Sequence, residues 1–460
     1  MTFRIITIET PTLGDRSYLV HDGTDALVID PQRDIDRVLA EAEKAGVRIR
    51  AVFETHIHND YVTGGLSLAR AAGANYYVNA DDDVLFDRVG IGDGDVITVG
   101  EQLALQAVLT PGHTFTHLSY LLQWDGEVVA AFTGGSLLIG SVGRPDLIGE
   151  SSTRTLAHAQ FHSAHRLAAA APDYARVLPT HGFGSFCSAS QSEVTASTIG
   201  QEKVGNSALT SDEEAFVEEL IAGLDAYPTY YADMGPRNID APASAPDLSP
   251  PAQADPDEIR SRLNAGEWVI DLRTRTAFAA GYVPGTFNFG LDGAMATYLG
   301  WTIPWQTPLT LLGDSPEQVE QAQRELVRIG IDRIEAASVG TSAELSTPDA
   351  PAQLRRVTFA DLEPARADRD DLVVLDVRRR NEWRQSHVDG AVHLPLHDLP
   401  SHPDKVPDGE VWVHCGSGYR ASIAASMLAA KGRTAVIIDD DWGNAVSAGA
   451  HVITCDGEAA

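Results

Sequence analysis

One stretch of this sequence repeats another. VIDLRTRTAFAAGYVPGTFNF at 269–289 aligns without a gap on VLDVRRRNEWRQSHVDGAVHL at 374–394, so that Asp271 falls on Asp376, Arg273 on Arg378, Phe278 on Trp383 and Gly285 on Gly390. Further along, TLLGDS at 310–315 falls on WVHCGS at 412–417. Such a repeat means one supersecondary plan used twice. Apolar runs alternating with helical patterns make that plan an α/β domain with a parallel sheet. The copies differ at one telling position: Gly313 stands where the second copy has Cys415.

A chain of 460 residues is too long for one core and predicts roughly two to four domains. Two stretches read as linkers, PRNIDAPASAPDLSPPAQA at 236–254 and LSTPDAPAQLRR at 345–356. Both are rich in Pro and Ala, lack a hydrophobic period, and bury too little to order themselves. The expected domains are therefore 1–240 (with a helical extension at its end), 255–343 and 357–456. In the first, ALVID (26–30), RAVFET (50–55), VVAAFTG (128–134) and RVLPTHG (176–182) read as buried strands. DIDRVLAEAEKAG (34–46) reads as a helix with Asp34 as N-cap and Gly46 as stop.

The net charge of -31, from 34 basic and 65 acidic residues, argues against nucleic acid or an anionic membrane as partner. Three cysteines, Cys187, Cys415 and Cys455, form no disulfide framework and suit a reducing compartment. The N-terminal stretch has no signal-peptide pattern, and no run of about 18 apolar residues could span a bilayer. The expected location is the cytoplasm.

EVWVHCGSGYRASIAASMLAAKG (410–432) carries the clearest chemistry: a strand EVWVH, a turn CGSGYR and a helix ending at Gly432. Glycines at 416 and 418 let the turn curl so that backbone N–H groups point inward at the positive end of a helix. The anion held there would be the Cys415 sulfur itself, made nucleophilic near neutral pH. Ser417 and Tyr419 complete the loop, and Arg420 closes it with a fixed positive charge. The alternatives are a cysteine phosphatase, whose loop is one residue longer, and a buried structural cysteine.

The loop resembles that of the rhodanese family, matching its Cys-x-x-Gly-x-Arg form at Cys415, Gly418 and Arg420. Asp376, Arg378 and SHVDGA (386–391) resemble the family's earlier signatures, and the likeness runs over about 357–455. It implies a Cys415 persulfide whose outer sulfur is passed to an acceptor. The copy at 255–343 looks like a degenerate rhodanese with a structural part, since Gly313 cannot carry sulfur.

THIHNDYVTGG (55–65) places His56, His58 and Asp60 alternately as the chain leaves a strand. TPGHTFTH (110–117) adds His113 and PTHG (179–182) adds His181. Converging imidazoles and carboxylates at strand ends suit a metal ion. The set resembles the metallo-β-lactamase fold, an αββα sandwich, over about 1–190. PQRD (31–34), FTGGSLLIGSVGRPDL (132–147) and HGFGSFC (181–187) look like persulfide dioxygenases fused to two rhodanese domains. That resemblance implies one iron on two histidines, matched by His56 and His113, and one aspartate.

The sequence departs from the family at two places. Gly135 stands where the ligand aspartate should follow Phe-Thr-Gly, and Tyr61 replaces the last histidine of the first motif. His56, His58 and His113 could still form a three-histidine site, with Asp60, His181 or Asp146 assisting. The expected cofactor is one metal ion per chain: iron, with zinc or an empty site as the alternatives. Arg144 and Asp146 match a stretch beside the family's active site and read either as contacts for an anionic persulfide or as a structural pair. Cys187 reads as a sulfur relay or a small buried residue.

The expected function is sulfur transfer through Cys415, coupled to a front domain that binds and oxidises thiol persulfides to sulfite. Partners would be a low-molecular-weight thiol persulfide and sulfite or thiosulfate, with the chain a homo-oligomer. Two alternatives stand: only the rhodanese turns over, or the front domain is a thioester hydrolase of the glyoxalase II kind.

Overall fold

A computed structural model of the chain describes residues 3–190, 194–242, 244–369 and 371–454. Cys455 and the expected domain end at 456 lie outside the described residues. The chain forms two compact units, Met1–Asp247 with Val327–Gly330, and Leu248–Leu326 with Ile331–Ala460.

The first unit holds two six-stranded sheets. One runs in the order Arg4–Thr10, Asp15–His21, Asp25–Ile29, Arg48–Phe53, Asn75–Asn79, Val89–Ile91. The other runs Ser197–Thr198, Arg176–Pro179, Glu127–Gly134, Leu118–Trp124, Leu103–Leu109, Val96–Val99. Strand alternation sends side chains to opposite faces. Tyr18, Leu27, Ile29 and Phe53 therefore meet Leu105, Tyr120, Leu122 and Phe132 between the sheets. Leu19, Val28 and Val52 point the other way, onto Val38 and Ala42 of the helix Asp36–Ala45 and Leu66 and Leu68 of the helix Gly65–Ala72. On the far side, Val108, Leu121 and Val177 pack on Ala157, Ala164 and Leu167 of the helix Glu150–Ala170. The layers are helix, sheet, sheet, helix. Each buried Val, Leu, Ile or Phe among them stabilises the sandwich by about 1.5–3 kcal/mol when removed from water.

Two local expectations are corrected here. The helix begins at Asp36, not behind an Asp34 cap, although Gly46 closes it in the left-handed region at φ 68°. Asp34 is buried and its carboxylate is taken by Arg37 at 2.8 Å and Arg328 at 2.7 Å. A buried carboxylate without such partners would be costly. The expected linker from 236 is helical up to Asp240, in the helix Tyr231–Asp240. Its Asn238 is buried and donates to the carbonyls of His58 and Tyr61, both at 2.8 Å, while accepting from Thr63 N at 2.9 Å. Polar anchoring, invisible to a hydrophobic period, orders this segment.

The second unit contains two five-stranded sheets whose strand pairs are all parallel. The first runs Ala252–Gln253, Ile334–Val339, Leu309–Gly313, Trp268–Asp271, Phe287–Asn288. The second runs Arg355–Val357, Ala435–Ile438, Glu410–His414, Leu372–Asp376, Val392–His393. In chain order the two arrangements are the same, so the sequence repeat is also a repeat of topology. No helix among the described residues is long and apolar enough to cross a membrane.

Candidate functional site

The histidines of the first unit gather where strands end. Beyond Phe53 the chain is pinned by Asp30, which accepts from Thr55 N at 2.7 Å, from Thr55 Oγ1 at 2.8 Å and from the Thr180 hydroxyl. Thr55 Oγ1 in turn lies 2.9 Å from His56 Nδ1. His113 Nδ1 donates to the Arg144 carbonyl at 2.9 Å, and His181 Nδ1 lies 3.0 Å from Asp15 Oδ1 and 3.2 Å from an Asp60 oxygen. Ligand atoms of His56, His113 and His181 all lie within 4.8 Å of one another, and the three side chains are buried. His56 Nε2 and His181 Nε2 are 3.3 Å apart, and His113 Nε2 has no hydrogen-bond partner among the described residues.

His58 takes a different place. Its Nε2 lies 3.3 Å from Asp30, 3.2 Å from Glu54 and 2.9 Å from the Tyr61 hydroxyl. It belongs to two other clusters, one with Asp60 and His181 and one with Asp30 and Glu54. Burial disfavours its charge, but Asp30 and Glu54 outweigh that and raise its pKa to about 9. His181 behaves likewise: burial is outweighed by Asp60 and Asp15, which raise it to about 10. Burial pushes Asp15 up to about 7, and Asp60 adds to this. Asp60 itself is held low, against burial, by His181 and His58. His113 is pushed down to about 3 by burial and His181, and His56 well below its usual value by burial and the surrounding imidazoles. Both are therefore neutral near pH 7, the form in which imidazole binds metal.

Arg144 and Asp146 form a bidentate pair, both contacts 2.7 Å, and Arg144 also donates to the Asp225 carbonyl at 2.7 Å. Its guanidinium stacks on Tyr227, 4.4 Å from the ring centre. Cys187 is fully buried, and burial with Asp60 and Asp15 raises its thiol well above the ordinary value. Sequence reasoning missed Asp15, Asp30, Glu54 and Asn238, which hold the histidines. It also passed over His117, whose Nε2 accepts from Gly135 N at 3.0 Å. Spacing gives no signal for them, because Asp30 and Thr180 meet only through the fold.

In the second unit Cys415 sits buried after the strand Glu410–His414 and before the helix Tyr419–Ala430. Gly418 turns the loop at φ 88°, and a Cβ there would lie 2.2 Å from Asp439 Oδ1. Asp439 is held by Arg275 at 2.6 Å and by Arg356. Arg420 reaches back over Gly416 and pairs bidentately with Glu382 at 2.6 and 2.7 Å. Burial opposes the charge on Glu382, yet Arg420 holds its pKa down to about 2. The fixed charge expected of Arg420 is thus already shared with a carboxylate. Tyr419 donates to the Gly290 carbonyl at 2.7 Å, and Cys415 interacts electrostatically with Arg275, Tyr298 and Arg420. Below it His414 is buried and pushed down to about 4 by burial, against the pull of Asp376.

The family description of the metallo-beta-lactamase superfamily matches residues 13–181, and that of the rhodanese-like domain matches residues 360–446. The mitochondrial persulfide dioxygenase ETHE1 of Homo sapiens is 30% identical over 211 residues, which covers 45% of this chain and 74% of the human protein. The chain belongs to the persulfide dioxygenase family of the metallo-β-lactamase superfamily. It carries a rhodanese-like domain behind the metallo-β-lactamase domain. Cytoplasmic hydroxyacylglutathione hydrolase of Arabidopsis thaliana is 34% identical over 139 residues, 29% of this chain, and the match spans only 54% of that protein. A crystal structure of a metallo-beta-lactamase from Staphylococcus aureus superposes with a TM-score of 0.65 at 28% identity, covering 74% of this chain and 100% of that one.

Members of this superfamily hold metal ions, and the residues present fit one. Two nitrogens bound to a tetrahedral ion at about 2.0–2.1 Å each stand about 3.3 Å apart. His56 and His181 already have that spacing, at 3.3 Å. Each of the three rings also has its Nδ1 on an oxygen, the outer contact that orients a metal-binding imidazole.

Proposed function

We propose that this chain is a bifunctional sulfur enzyme: a sulfurtransferase acting through a Cys415 persulfide, joined to a metal-dependent domain that oxidises thiol persulfides to sulfite. Its functional divisions are 1–240, 255–343 and 357–456, and its sparse cysteines support the cytoplasm as its setting. The observation that carries the transferase half is the loop, where a buried cysteine meets a glycine turn and an arginine at a helix start. In the first step the Cys415 thiolate attacks the outer sulfur of a persulfide RSSH; the S–S bond breaks, and RS⁻ leaves. Sulfite then attacks the outer sulfur of Cys415–S–SH, the new S–S bond breaks, and thiosulfate, a proton and the Cys415 thiolate result. Gly416, Ser417, Gly418 and Tyr419 shape the cradle, and the Arg420–Glu382 pair fixes its far wall.

In the front domain the ligands are drawn from His56, His58, His113, His181 and Asp60. A bound iron would supply the dioxygen chemistry, in which RSSH, O2 and water give RSH, sulfite and two protons. The chain's part is to hold its imidazoles by their Nδ1 atoms, keep a proton between His181 and the Asp15–Asp60 pair, and exclude bulk water by burial. An anionic substrate would have to compete with Asp146 for Arg144. A second reading, thioester hydrolysis, draws on the 34% identity to hydroxyacylglutathione hydrolase. The buried Tyr61 ring, where the motif's last histidine would stand, weighs against it.

Metal analysis of the purified chain together with oxygen uptake on glutathione persulfide tests the reading. Iron with uptake supports it. Zinc with hydrolysis of a glutathione thioester supports the second reading, and no metal with no uptake leaves only the transferase.

A further inference from the structure

The two departures of the front domain from its family act on the same histidines. Gly135 follows the strand Glu127–Gly134, and a Cβ there would lie 2.3 Å from His113 Cδ2 and 2.6 Å from His113 Cγ. Gly143 closes the slot from the other side: its Cβ would lie 2.9 Å from His113 Nδ1 and 2.1 Å from the Gly135 carbonyl. The His113 ring therefore occupies the space that an aspartate at 135 would need. Gly135 is more than a lost ligand, because it makes room for the imidazole in its present place.

Tyr61 acts on His58. The two rings stack with centroids 4.3 Å apart and an interplanar angle of 25°, and the hydroxyl meets His58 Nε2 at 2.9 Å. With Glu54 and Asp30 at 3.2 and 3.3 Å from the same nitrogen, His58 is drawn to the acidic side of the pocket. No cluster of mutually close ligand atoms among the described residues holds His58 together with His113. His181 stands in instead, its Nε2 3.3 Å from His56 Nε2, and the buried His113 Nε2 has no hydrogen-bond partner among the described residues.

We propose that His56, His113 and His181 alone hold a single metal ion, with Gly135 required for the position of His113 and Tyr61 keeping His58 off the ion. This rests on the metal-dependent reading of the front domain and replaces two histidines and a carboxylate by three imidazoles. No carboxylate then binds a divalent ion directly, and Asp15 and Asp60 lie behind His181, on its Nδ1. That favours a small anionic sulfur species as substrate over a neutral thioester.

The test uses the full chain reconstituted with ferrous iron, with zinc and with cobalt, and reads bound metal by elemental analysis. About one ion per chain is expected in the unchanged protein, with X-ray absorption showing three imidazoles and no protein carboxylate. His181→Gln should lower metal affinity more than about 10-fold, while His58→Gln keeps it within a few-fold. Gly135→Asp, which would restore the family's carboxylate, should weaken binding because it displaces His113. Two ions per chain, a carboxylate in the X-ray absorption, or tighter binding in Gly135→Asp would overturn the ligand assignment. So would metal kept in His181→Gln and lost in a folded His58→Gln. If His58→Gln does not fold, the ligand count of the unchanged protein decides. A chain that takes up none of the three ions overturns the metal-dependent reading, and this assignment with it, which is a different result from a wrong ligand set.

Discussion

The two α/β copies of the second unit share a framework and differ in a turn. In each, an aspartate at the end of a strand binds the arginine two residues on, at 2.5 Å for Asp271–Arg273 and 2.6 Å for Asp376–Arg378. In each, that arginine also donates to the carbonyl eight residues on, Gly281 at 2.9 Å and Ser386 at 2.7 Å. The turns then part. Cys415-Gly-Ser-Gly bends through Gly418 at φ 88° into its helix. Gly313-Asp-Ser-Pro goes straight into a helix from Pro316, with Asp314 N capped by Gln318 at 2.8 Å. The copy without cysteine braces the other: Asn288 binds Ser422 at 2.7 Å, and Arg275 binds Asp439 beside the Cys415 loop. Framework and chemistry are thus separable, as expected when function resides in a site carried on a fold.

The sharpest way to break the comparison is to exchange the two positions. Cys415→Ser should cut thiosulfate formation from persulfide and sulfite to below about a thousandth, while leaving any oxygen uptake of the front domain. Gly313→Cys in that background should restore none of it, because its turn lacks the glycine bend and the arginine. Unchanged transfer in Cys415→Ser sinks the transferase assignment.

The shared framework yields the next effect. Asp376→Ala leaves Arg378 buried at 2% exposure with no carboxylate partner among the described residues, whereas Arg273 in Asp271→Ala keeps Asp314 at 4.0 Å. Breaking a buried pair costs about 3–5 kcal/mol. Urea denaturation should place Asp376→Ala at the upper end of that range and Asp271→Ala at the lower; a reversed order would mean that the two pairs are not equivalent scaffolds.

Much of this was legible from residue order. Short apolar runs gave the strands, the repeat gave the shared topology, and the Cys415 segment gave its strand and helix, although the helix starts at Tyr419, inside the expected turn. The histidine turns were visible too, but which rings converge was not. His181 reaches the cluster because Asp15 and Thr180 are brought to it by strands far apart in sequence, and His58 leaves it because Glu54 and Asp30 attract its charge. Asn238 lay hidden in a Pro- and Ala-rich stretch, since three hydrogen bonds, and no apolar stripe, hold it.

Acid should separate the copies further. His414 has Leu312 as its counterpart in the repeat. Its pKa is about 4 in the fold against an ordinary 6.5, because burial disfavours the imidazolium. The unfolded chain thus binds the extra proton first, so stability is full above pH 6.5 and is lost as pH falls toward 4. The loss is on the order of 3 kcal/mol. Glu382, whose pKa falls from 4.5 to about 2, adds stability that is present above 4.5 and lost below it toward 2. Urea midpoints of the unchanged chain and of His414→Leu, followed from pH 7 to pH 4, should converge in slope only if His414 is not the source; a flatter profile in the variant is expected.

The smallest effect tests the turn itself. Gly418→Ala puts a Cβ on a residue at φ 88° and drives it to 2.2 Å from Asp439 Oδ1. The left-handed backbone alone costs about 1–2 kcal/mol. Moving Asp439 also disturbs its pairs with Arg275 and Arg356. The variant should lose about 1–3 kcal/mol of stability and a larger share of its transfer rate. Gly313→Ala has no such backbone strain: its φ is ordinary, and its nearest contact is Gln318 Oε1 at 3.1 Å, the atom that caps Asp314 N. It should lose less than Gly418→Ala, about 1 kcal/mol or below. Equal losses at the two glycines would show that the bend at Gly418 is only scaffold. A loss confined to Gly418, with transfer falling faster than stability, would show that the bend exists to hold the sulfur of Cys415.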